Sequence, residues 1–266
     1  MMGDEVGVGL IGWGLAGRYF HAPFVQVTPG LALRGVVTRR EVARTLFPEA
    51  QAVASVEALL ADPAIALVIV ASPNRLHVPQ ARAALAAGKH VVVEKPVAET
   101  AAAWQELIAA AQAADRLLIP FQNRRWDGDF RTVQQLIAAG LLGEVLTYES
   151  RWPKYRPQLT MRAGWKEAEG RTGGVLYDLG PHLVDQAICL FGRPARVYAQ
   201  VATQRLDAAT DDLMRLSIQF ENGVQALLEV DLLNPFPGPR FNVRGRYGAY
   251  EIHGLDPQEA RLRAGE

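Results

Sequence analysis

The first half of the chain alternates short apolar, β-type runs with helical patterns. The apolar runs predict strands at Val6–Ile11, Leu31–Val37, Ala66–Ala71, His90–Val93 and Leu117–Phe121. Helical patterns between and after them predict helices at Ala16–Gln26, Glu41–Phe47, Leu76–Ala87, Thr100–Ala114 and Asp129–Ala138. Strands that alternate with helices are typical of a parallel sheet with helical crossovers. We therefore predict a doubly wound α/β domain over residues 1–122.

The pattern changes after Gly143, where the β-type segments become longer. Strands are predicted at Val145–Trp152, Val197–Gln204, Leu213–Glu221, Val224–Leu232 and Phe241–Arg246. Only one clear helix interrupts them, beginning after Asp178 and ending near Gly192. Turns such as Glu221-Asn222-Gly223 favour antiparallel neighbours. Residues 123–266 are therefore predicted to form an α+β domain with a large, mostly antiparallel open sheet.

Composition narrows the class of protein. Of the 266 residues, 49% are apolar, which is enough to bury the cores of two domains. The 28 basic and 28 acidic side chains balance, so no overall field favours nucleic acid or an anionic membrane. The N-terminus lacks the basic start of a signal peptide and no apolar stretch has spanning length, so we expect a cytoplasmic protein. The single cysteine, Cys189, lies in an apolar string and is predicted to be a small buried hydrophobe.

A glycine-rich segment follows the first predicted strand and precedes a helical pattern: Gly12-Trp13-Gly14-Leu15-Ala16-Gly17. Gly12 would permit the tight turn, Gly14 the approach of a pyrophosphate, and Gly17 close packing of helix on strand. The phosphates would lie at the helix N-terminus. Three glycines can also make a simple tight turn, but the flanking strand and helix favour a Rossmann dinucleotide-binding domain.

The end of the second strand indicates which dinucleotide is bound. An NAD site usually carries an acidic residue there, whereas this chain reads Thr38-Arg39-Arg40. A hydroxyl and two guanidinium groups suit the 2′-phosphate of NADP, because Arg forms paired, charge-assisted bonds to phosphate. We therefore expect NADP rather than NAD. In the alternative interpretation, both arginines are the solvated start of the next helix.

Ser72-Pro73-Asn74 follow another predicted strand, at the carboxyl edge of the sheet where open α/β folds bind ligands. These residues and His77 are candidate cofactor contacts. The alternative is that Asn74 caps the helix that begins at Arg75 and that His77 is an ordinary first-turn residue.

Glu94-Lys95-Pro96 end the strand that starts at His90. Pro96 fixes the turn, so the ammonium group of Lys95 can polarise a substrate oxygen there. The chain has only four lysines against twenty-four arginines, which hints at a specific need for Lys95. Glu94 would tune this lysine or cap the turn. An exposed loop lysine is the alternative.

Asp178 and His182 are four residues apart at the start of the helix in the second half. Pro181 should lie in the first helical turn, which predicts Asp178 near the N-cap and both side chains on one face. A neutral imidazole can take an alcohol proton near pH 7, and Asp178 can hold its tautomer or bind a substrate hydroxyl. The alternative is a capping Asp178 and a buried polar His182.

Taken together, these motifs resemble the Gfo/Idh/MocA oxidoreductases, the glucose-fructose and inositol dehydrogenase group. The resemblance covers almost the whole chain and rests on the glycine fingerprint, Glu94-Lys95-Pro96 and the segment of residues 173–185. The runs of residues 122–127 and 151–157 are similar to the NADP-dependent scyllo-inositol dehydrogenase-like subgroup. The resemblance implies Lys95, Asp178 and His182 as catalytic residues, a cis Lys95–Pro96 bond, and cofactor contacts from Arg124 and Trp126.

The resemblance also implies a polyol, inositol or sugar as substrate. Hydroxyl-rich ligands need convergent donors and an apolar or aromatic face. The candidates in this chain are Arg151, Lys154, Tyr155, Arg156 and Trp165. Each of them taken singly could instead be a surface residue.

Members of the family usually continue beyond the segment that corresponds to residues 254–260. The resemblance implies that this further part completes the second sheet, and that homodimers form through that sheet. Its loss would expose sheet edges and apolar surface. The sequence therefore predicts an NADP-dependent dehydrogenase or reductase acting on CH–OH groups, without metal. The alternative is a non-catalytic nucleotide-binding sensor or an inactive, shortened relative.

Overall fold

The computed structural model describes residues 5–39, 47–152, 154–158, 173–236 and 238–265. The chain divides into two compact units, Met1–Phe121 with Glu259–Glu266, and Gln122–Gln258. The candidates Arg40 and Trp165, and the predicted helix at 41–47 apart from Phe47, lie outside the described residues. No helix in the described ranges is long and apolar enough to cross a bilayer.

The first unit contains a six-stranded sheet in the order β3-β2-β1-β4-β5-β6, with every neighbouring pair parallel. Its strands are β1 (Val6–Ile11), β2 (Leu31–Val37), β3 (Gln51–Val53), β4 (Leu67–Val70), β5 (His90–Glu94) and β6 (Leu118–Phe121). The strand order reverses beside β1, which is the topological switch point of a doubly wound sheet. The predicted Rossmann fold is therefore confirmed. The short β3 was not predicted.

Helices connect these strands and cover both faces of the sheet. A π-helical turn, Gly17–His21, runs into α1 (Ala22–Val27), and α2 (Val56–Leu60), α3 (His77–Ala86) and α4 (Ala101–Ala113) follow. Thr100 caps α4 because its hydroxyl oxygen accepts a hydrogen bond from Ala103 N at 3.2 Å. On β4, Val68 and Val70 pack into the core on one face, while Ile69 packs into the core on the other.

The second unit contains a mixed sheet in the order β12-β11-β7-β10-β9-β8. Its strands are β7 (Val145–Trp152), β8 (Pro194–Ala202), β9 (Leu213–Phe220), β10 (Gln225–Asp231), β11 (Phe241–Gly245) and β12 (Ala249–Ile252). All neighbours are antiparallel except β7 and β10, which are parallel. The mostly antiparallel sheet is confirmed, and β12 is an addition to the predicted strands.

Helices pack on one face of this sheet. They are α5 (Gly128–Ala138), α6 (Val175–Asp178) and α7 (Gly180–Phe191). A further helix, α8 (Gln258–Ala264), belongs almost wholly to the first unit. Phe130 of α5 and Leu183 of α7 share a core with Tyr148 of β7 and Ala226 of β10. Cys189 was predicted to be buried, and this is wrong. Since Leu183 and Ala187 turn towards the core, helical periodicity leaves Cys189 on the exposed side of α7.

Candidate functional site

The glycine-rich loop fits the close approach of a dinucleotide. Gly12 has φ +106°, and a Cβ there would lie 2.5 Å from the carbonyl oxygen of Ala71. A Cβ on Gly17 would clash with the carbonyl oxygen of Gly12. Above Gly14, by contrast, no atom lies within 4 Å of where a Cβ would be. The loop therefore packs tightly on its own unit and leaves Gly14 open, as a bound pyrophosphate requires.

The other residues of the fingerprint divide between the core and the surface. Trp13 is buried, and its ring lies edge-on to Phe47 with centroids 5.6 Å apart. Its side chain therefore anchors the loop and leaves only the backbone to face a ligand. Leu15 is exposed and Ala16 is half-buried.

Thr38 and Arg39 directly follow β2, whose last residue is Val37. Thr38 is half-buried and Arg39 is exposed. The end of this strand therefore presents a hydroxyl and a guanidinium group, and no carboxylate lies between Val37 and Arg39.

His77 ties together the two loops that follow β4 and β5. Its Nδ1 lies 2.8 Å from the carbonyl oxygen of Pro96, and its Nε2 lies 2.8 Å from that of Ser72. The imidazole is 1% exposed, so His77 holds these two loops together from the interior. Pro73 occupies the N-cap of the 3-10 turn Asn74–Leu76, and Asn74 is the first residue of that turn.

Glu94 and Lys95 mark the carboxyl end of β5. The Glu94 carboxylate is buried, with Oε1 3.0 Å from Nε2 of His21. Its Oε2 accepts a hydrogen bond from the backbone N of Lys95 at 3.2 Å. Lys95 is half-buried, and the Lys95–Pro96 bond is cis, as the resemblance implies. Sequence reasoning missed His21, which looked like one more polar residue of a helix.

In the second unit, Asp178 and His182 belong to successive helical segments. Asp178 is the last residue of α6 and directly precedes Leu179, the N-cap of α7, so it lies near the N-cap as predicted. Pro181 lies in the first turn of α7, as predicted, and His182 is buried. The sequence showed the proline signal, but not that an extra helical turn precedes it.

The turn α6 is fixed from the side by Asp211, another residue that sequence reasoning missed. Asp211 Oδ2 accepts a hydrogen bond from Leu176 N at 2.7 Å, and its carbonyl oxygen accepts one from Val175 N at 3.0 Å. A Cβ on Gly174 would clash with the Asp211 carboxylate. This contact gives the second glycine of Gly173-Gly174 a structural reason.

His182 stacks on Trp152, with ring centroids 5.6 Å apart and planes 22° apart. The guanidinium groups of Arg124 and Arg240 lie 5.3 and 5.4 Å from the centre of the same indole. Guanidinium groups over an indole face are attracted by its quadrupole. The indole therefore forms a fixed wall beside the imidazole.

Arg240 is fully buried and joins three elements of the second unit. It donates hydrogen bonds to Ser150 Oγ on β7 at 2.6 Å and to Gln186 Oε1 on α7 at 2.9 Å. Its Nε lies 3.4 Å from Asp129 Oδ2 on α5. Gln186 is one helical turn after His182 and also donates to the carbonyl oxygen of Arg124 at 2.8 Å. Arg240 directly precedes β11 and belongs to no motif, so the sequence did not single it out.

Burial raises the pKa values of two acidic side chains near Arg240. Burial raises the pKa of Asp127 from its ordinary 3.8 to about 6, although the Arg124 guanidinium opposes the shift. Burial also raises the pKa of Asp129, against the opposing charge of Arg240. Arg124 Nη1 lies 3.3 Å from Asp127 Oδ2. Arg124 is therefore held by Asp127 on one hand and packs on the indole of Trp152, beside His182, on the other.

The remaining candidates are more open. Trp126, Tyr155 and Arg156 are exposed, and Lys154 is half-buried. Arg151 donates a hydrogen bond to Glu149 Oε2 at 2.6 Å, so a substrate hydroxyl would share this guanidinium with a carboxylate. The structure therefore brings Trp152, His182, Arg124 and Arg240 together in the second unit, and Glu94, His77 and the turn at Lys95 together in the first.

Comparisons with known proteins agree with this arrangement. The oxidoreductase family profile for the NAD-binding Rossmann fold matches residues 6–121, and the GFO/IDH/MocA C-terminal domain matches residues 130–251. The chain is 41% identical over 263 residues to the NADP(+) scyllo-inositol 2-dehydrogenase IolW of Bacillus subtilis, covering 98% of this chain and 73% of that protein. It is also 41% identical to the uncharacterized oxidoreductase YdgJ of Escherichia coli, covering 100% of this chain and 76% of that one.

A solved structure shows the same likeness in three dimensions. The oxidoreductase YvaA of Bacillus subtilis superposes with a TM-score of 0.92 at 39% sequence identity. The match covers 99% of this chain and 74% of that structure. It therefore includes both sheets of the present fold.

Proposed function

Since the chain belongs to the Gfo/Idh/MocA family of oxidoreductases, we propose that it is an NADP-dependent dehydrogenase of an inositol, another polyol or a sugar. The observation that carries the proposal is the place of Lys95 at the carboxyl edge of the parallel sheet. In the order β1-β4-β5, this lysine directly follows β5, which lies two places from the strand that leads into the open glycine loop. Ligands of open α/β sheets bind at this edge.

We assign a separate role to each proposed catalytic residue. When bound, the nicotinamide supplies or accepts the hydride. In the oxidation, the substrate carbon gives up its hydrogen with the electron pair, and the hydroxyl proton goes to the imidazole of His182. Lys95 stabilises the negative charge that develops on the oxygen, and Asp178 orients the substrate hydroxyl or the imidazole. The proton and the hydride together account for the two hydrogens lost.

The preference for NADP rests on the residues after β2. Thr38 and Arg39 present a donor set that suits a 2′-phosphate, and Arg40 continues it in the sequence. The backbone at Gly12, Gly14 and Gly17 would hold the pyrophosphate. The loops of Ser72, Pro73, Asn74 and Glu94 would face the nicotinamide half, with Trp126 as a further contact.

The second unit would supply substrate recognition and a dimer interface. Arg151, Lys154, Tyr155 and Arg156 are the proposed donors and aromatic surface for hydroxyl groups. Tyr198, Ser217 and Leu227 form one cross-strand row on the sheet, and Tyr198 and Leu227 are 73% and 47% exposed. An apolar row of this kind supports a homodimer through the sheet.

The proposal is tested by turnover of the purified protein with scyllo-inositol, myo-inositol and glucose, each with NADP⁺ and NAD⁺. Reduced nicotinamide is followed by its absorbance. We expect oxidation of at least one polyol, with the larger kcat/KM for NADP⁺. A folded protein that binds NADPH and oxidises none of them would count against a polyol dehydrogenase.

A further inference from the structure

A π-helical turn, Gly17–His21, interrupts the helical segment that follows the glycine loop. Such turns are rare and are frequently found at functional sites. Its last residue, His21, is 3% exposed, so the turn delivers an imidazole into the interior. We propose that His21 is a positioning residue for Lys95 and that it acts through Glu94. The catalytic meaning of this role rests on the proposed function.

Two hydrogen bonds connect His21 to the turn of Lys95. The Nε2 of His21 meets Oε1 of Glu94 at 3.0 Å, and Oε2 of Glu94 accepts from the backbone N of Lys95 at 3.2 Å. Phe121 packs on the imidazole, with ring centroids 4.1 Å apart. The imidazole therefore contacts both an aromatic ring and the carboxylate.

Glu94 can transmit the influence of His21 to Lys95 because both of its carboxylate oxygens are engaged. A buried carboxylate is stable only when donors satisfy it, and here one oxygen is engaged by His21 and the other by the backbone of Lys95. Rotation of the carboxylate would weaken both bonds together. Without His21, the carboxylate is free to reorient, and the N–H of Lys95 loses its fixed acceptor. The backbone of Lys95 is then less well fixed, and so is the ammonium group that its side chain carries.

Misplacement of a reacting group matters for chemistry more than for binding. A displacement of about 1 Å can cost about 10²-fold in rate. The role of His21 should therefore appear in kcat and in the environment of the Lys95 side chain. It should appear much less in the affinity for NADPH, most of whose proposed contacts lie elsewhere.

A pair of substitutions separates positioning from mere loss of packing. In His21→Gln, the amide nitrogen reaches about as far as Nε2, so the bond to Glu94 can be kept. In His21→Asn, the amide is too short to reach it. We expect His21→Asn to lower kcat by roughly ten-fold or more and His21→Gln to restore most of it, with the Kd for NADPH within about three-fold in both.

Lys89→Met is the matched control. Lys89 directly precedes β5, at the opposite end of the strand from Lys95, and its Nζ donates to the carbonyl oxygens of Asp62 and Ile65 at 2.8 and 2.7 Å. Its loss removes buried hydrogen bonds from the same unit without touching Glu94. We expect lower thermal stability with kcat within about two-fold. A comparable loss of kcat in this control would show that the effect of His21→Asn is general destabilisation.

A second readout does not depend on turnover. The chain has four lysines, so reductive ¹³C-methylation gives a simple NMR spectrum in which Lys95 is assigned by its loss in Lys95→Arg. We expect His21→Asn to shift or broaden the Lys95 signal and to leave the Lys89 signal unchanged. Glu94→Gln, which keeps the shape but only one acceptor oxygen, should have the same effect if His21→Asn does not fold.

The two readouts distinguish the possible failures. If the Lys95 signal is the same in His21→Asn and the unsubstituted protein, and kcat is unchanged, the positioning role is wrong. Equal losses in His21→Gln and His21→Asn also contradict it. If the NMR change is found but Lys95→Ala retains turnover, the positioning role stands and the proposed catalytic function of Lys95 fails.

Discussion

The imidazole of His182 lies nearly parallel to the indole of Trp152, with ring centroids 5.6 Å apart. The indole is itself held in place, because the guanidinium groups of Arg124 and the fully buried Arg240 both lie within cation–π distance of it. The orientation of the proposed proton acceptor is therefore set by a packed wall within the second unit. This arrangement is preorganised and does not wait for a substrate.

Replacing Trp152 should slow turnover more than it changes the affinity for NADPH. In Trp152→Leu the flat support of His182 is lost, and we expect kcat to fall by roughly ten-fold with NADPH affinity unchanged. Trp152→Phe keeps a ring for the stack and should retain most of kcat. Steady-state kinetics and a fluorescence titration of both variants check this. Equal kcat in Trp152→Leu and Trp152→Phe would contradict the role of the stack.

We expect Arg240 to contribute more to the free energy of unfolding than the more exposed Arg244 does. Arg240→Met leaves Asp129 without its cation and removes the donors to Ser150 and Gln186. Breaking one side of a buried charge pair costs about 3–5 kcal/mol, and we expect a loss of that order in urea unfolding. The control is Arg244→Met, which removes a more exposed guanidinium from Glu149. This change should cost less than about 1 kcal/mol. Similar losses in both variants would refute a special place for Arg240.

The raised pKa of Asp127 predicts a pH-dependent effect. Since the folded state favours the protonated acid, Asp127 adds stability below its unfolded pKa, and this is lost as the pH rises through about 6. Asn resembles the protonated acid at every pH. Asp127→Asn should therefore stabilise the protein at pH 8, by on the order of 2 kcal/mol, and progressively less between pH 6 and 4. Chemical unfolding at several pH values tests this, and a constant increment from pH 4 to 8 would be inconsistent with it.

The cofactor preference can be tested at the end of β2. Arg39→Ala, alone and with Arg40→Ala, should weaken NADPH binding by about ten-fold or more and leave NADH nearly unchanged, because only NADPH carries the 2′-phosphate. Arg82→Ala removes an exposed guanidinium that is paired with Glu106 on another helix, and serves as the charge control. Fluorescence titrations of each protein with NADPH and with NADH give the Kd values. A double variant that keeps the full selectivity would overturn the assignment.

The strands of the first sheet could be predicted well from sequence because their apolar runs are nearly continuous. Val6–Ile11 and Leu31–Val37 have the bounds that the pattern predicted. A strand as short as Gln51–Val53 gives no such run, and it is defined by its pairing with β2. In the second sheet, the pattern gave the strands but not their order, because pairing of β7 with β10 joins segments far apart in the chain.

In the candidate site, too, residues in local motifs could be predicted and residues that act through distant contacts could not. Lys95, Asp178 and His182 stand in motifs, so the sequence could single them out. His21, Asp211 and Arg240 act through contacts with residues 73, 35 and 54 positions away, which no local pattern encodes. The extra helical turn that ends at Asp178 could not be predicted for a related reason. Asp211 stabilises one more helical turn before Leu179 than the proline signal alone indicates.

Turnover by Lys95→Ala tests the central claim most directly. The variant and the unsubstituted protein would be compared for oxidation of the best polyol by NADP⁺, with NADPH affinity measured on the same samples. We predict that kcat falls by at least about 10²-fold while the Kd for NADPH stays within a few-fold. Unchanged turnover in a variant that binds NADPH normally would contradict the assignment of Lys95 as a catalytic residue.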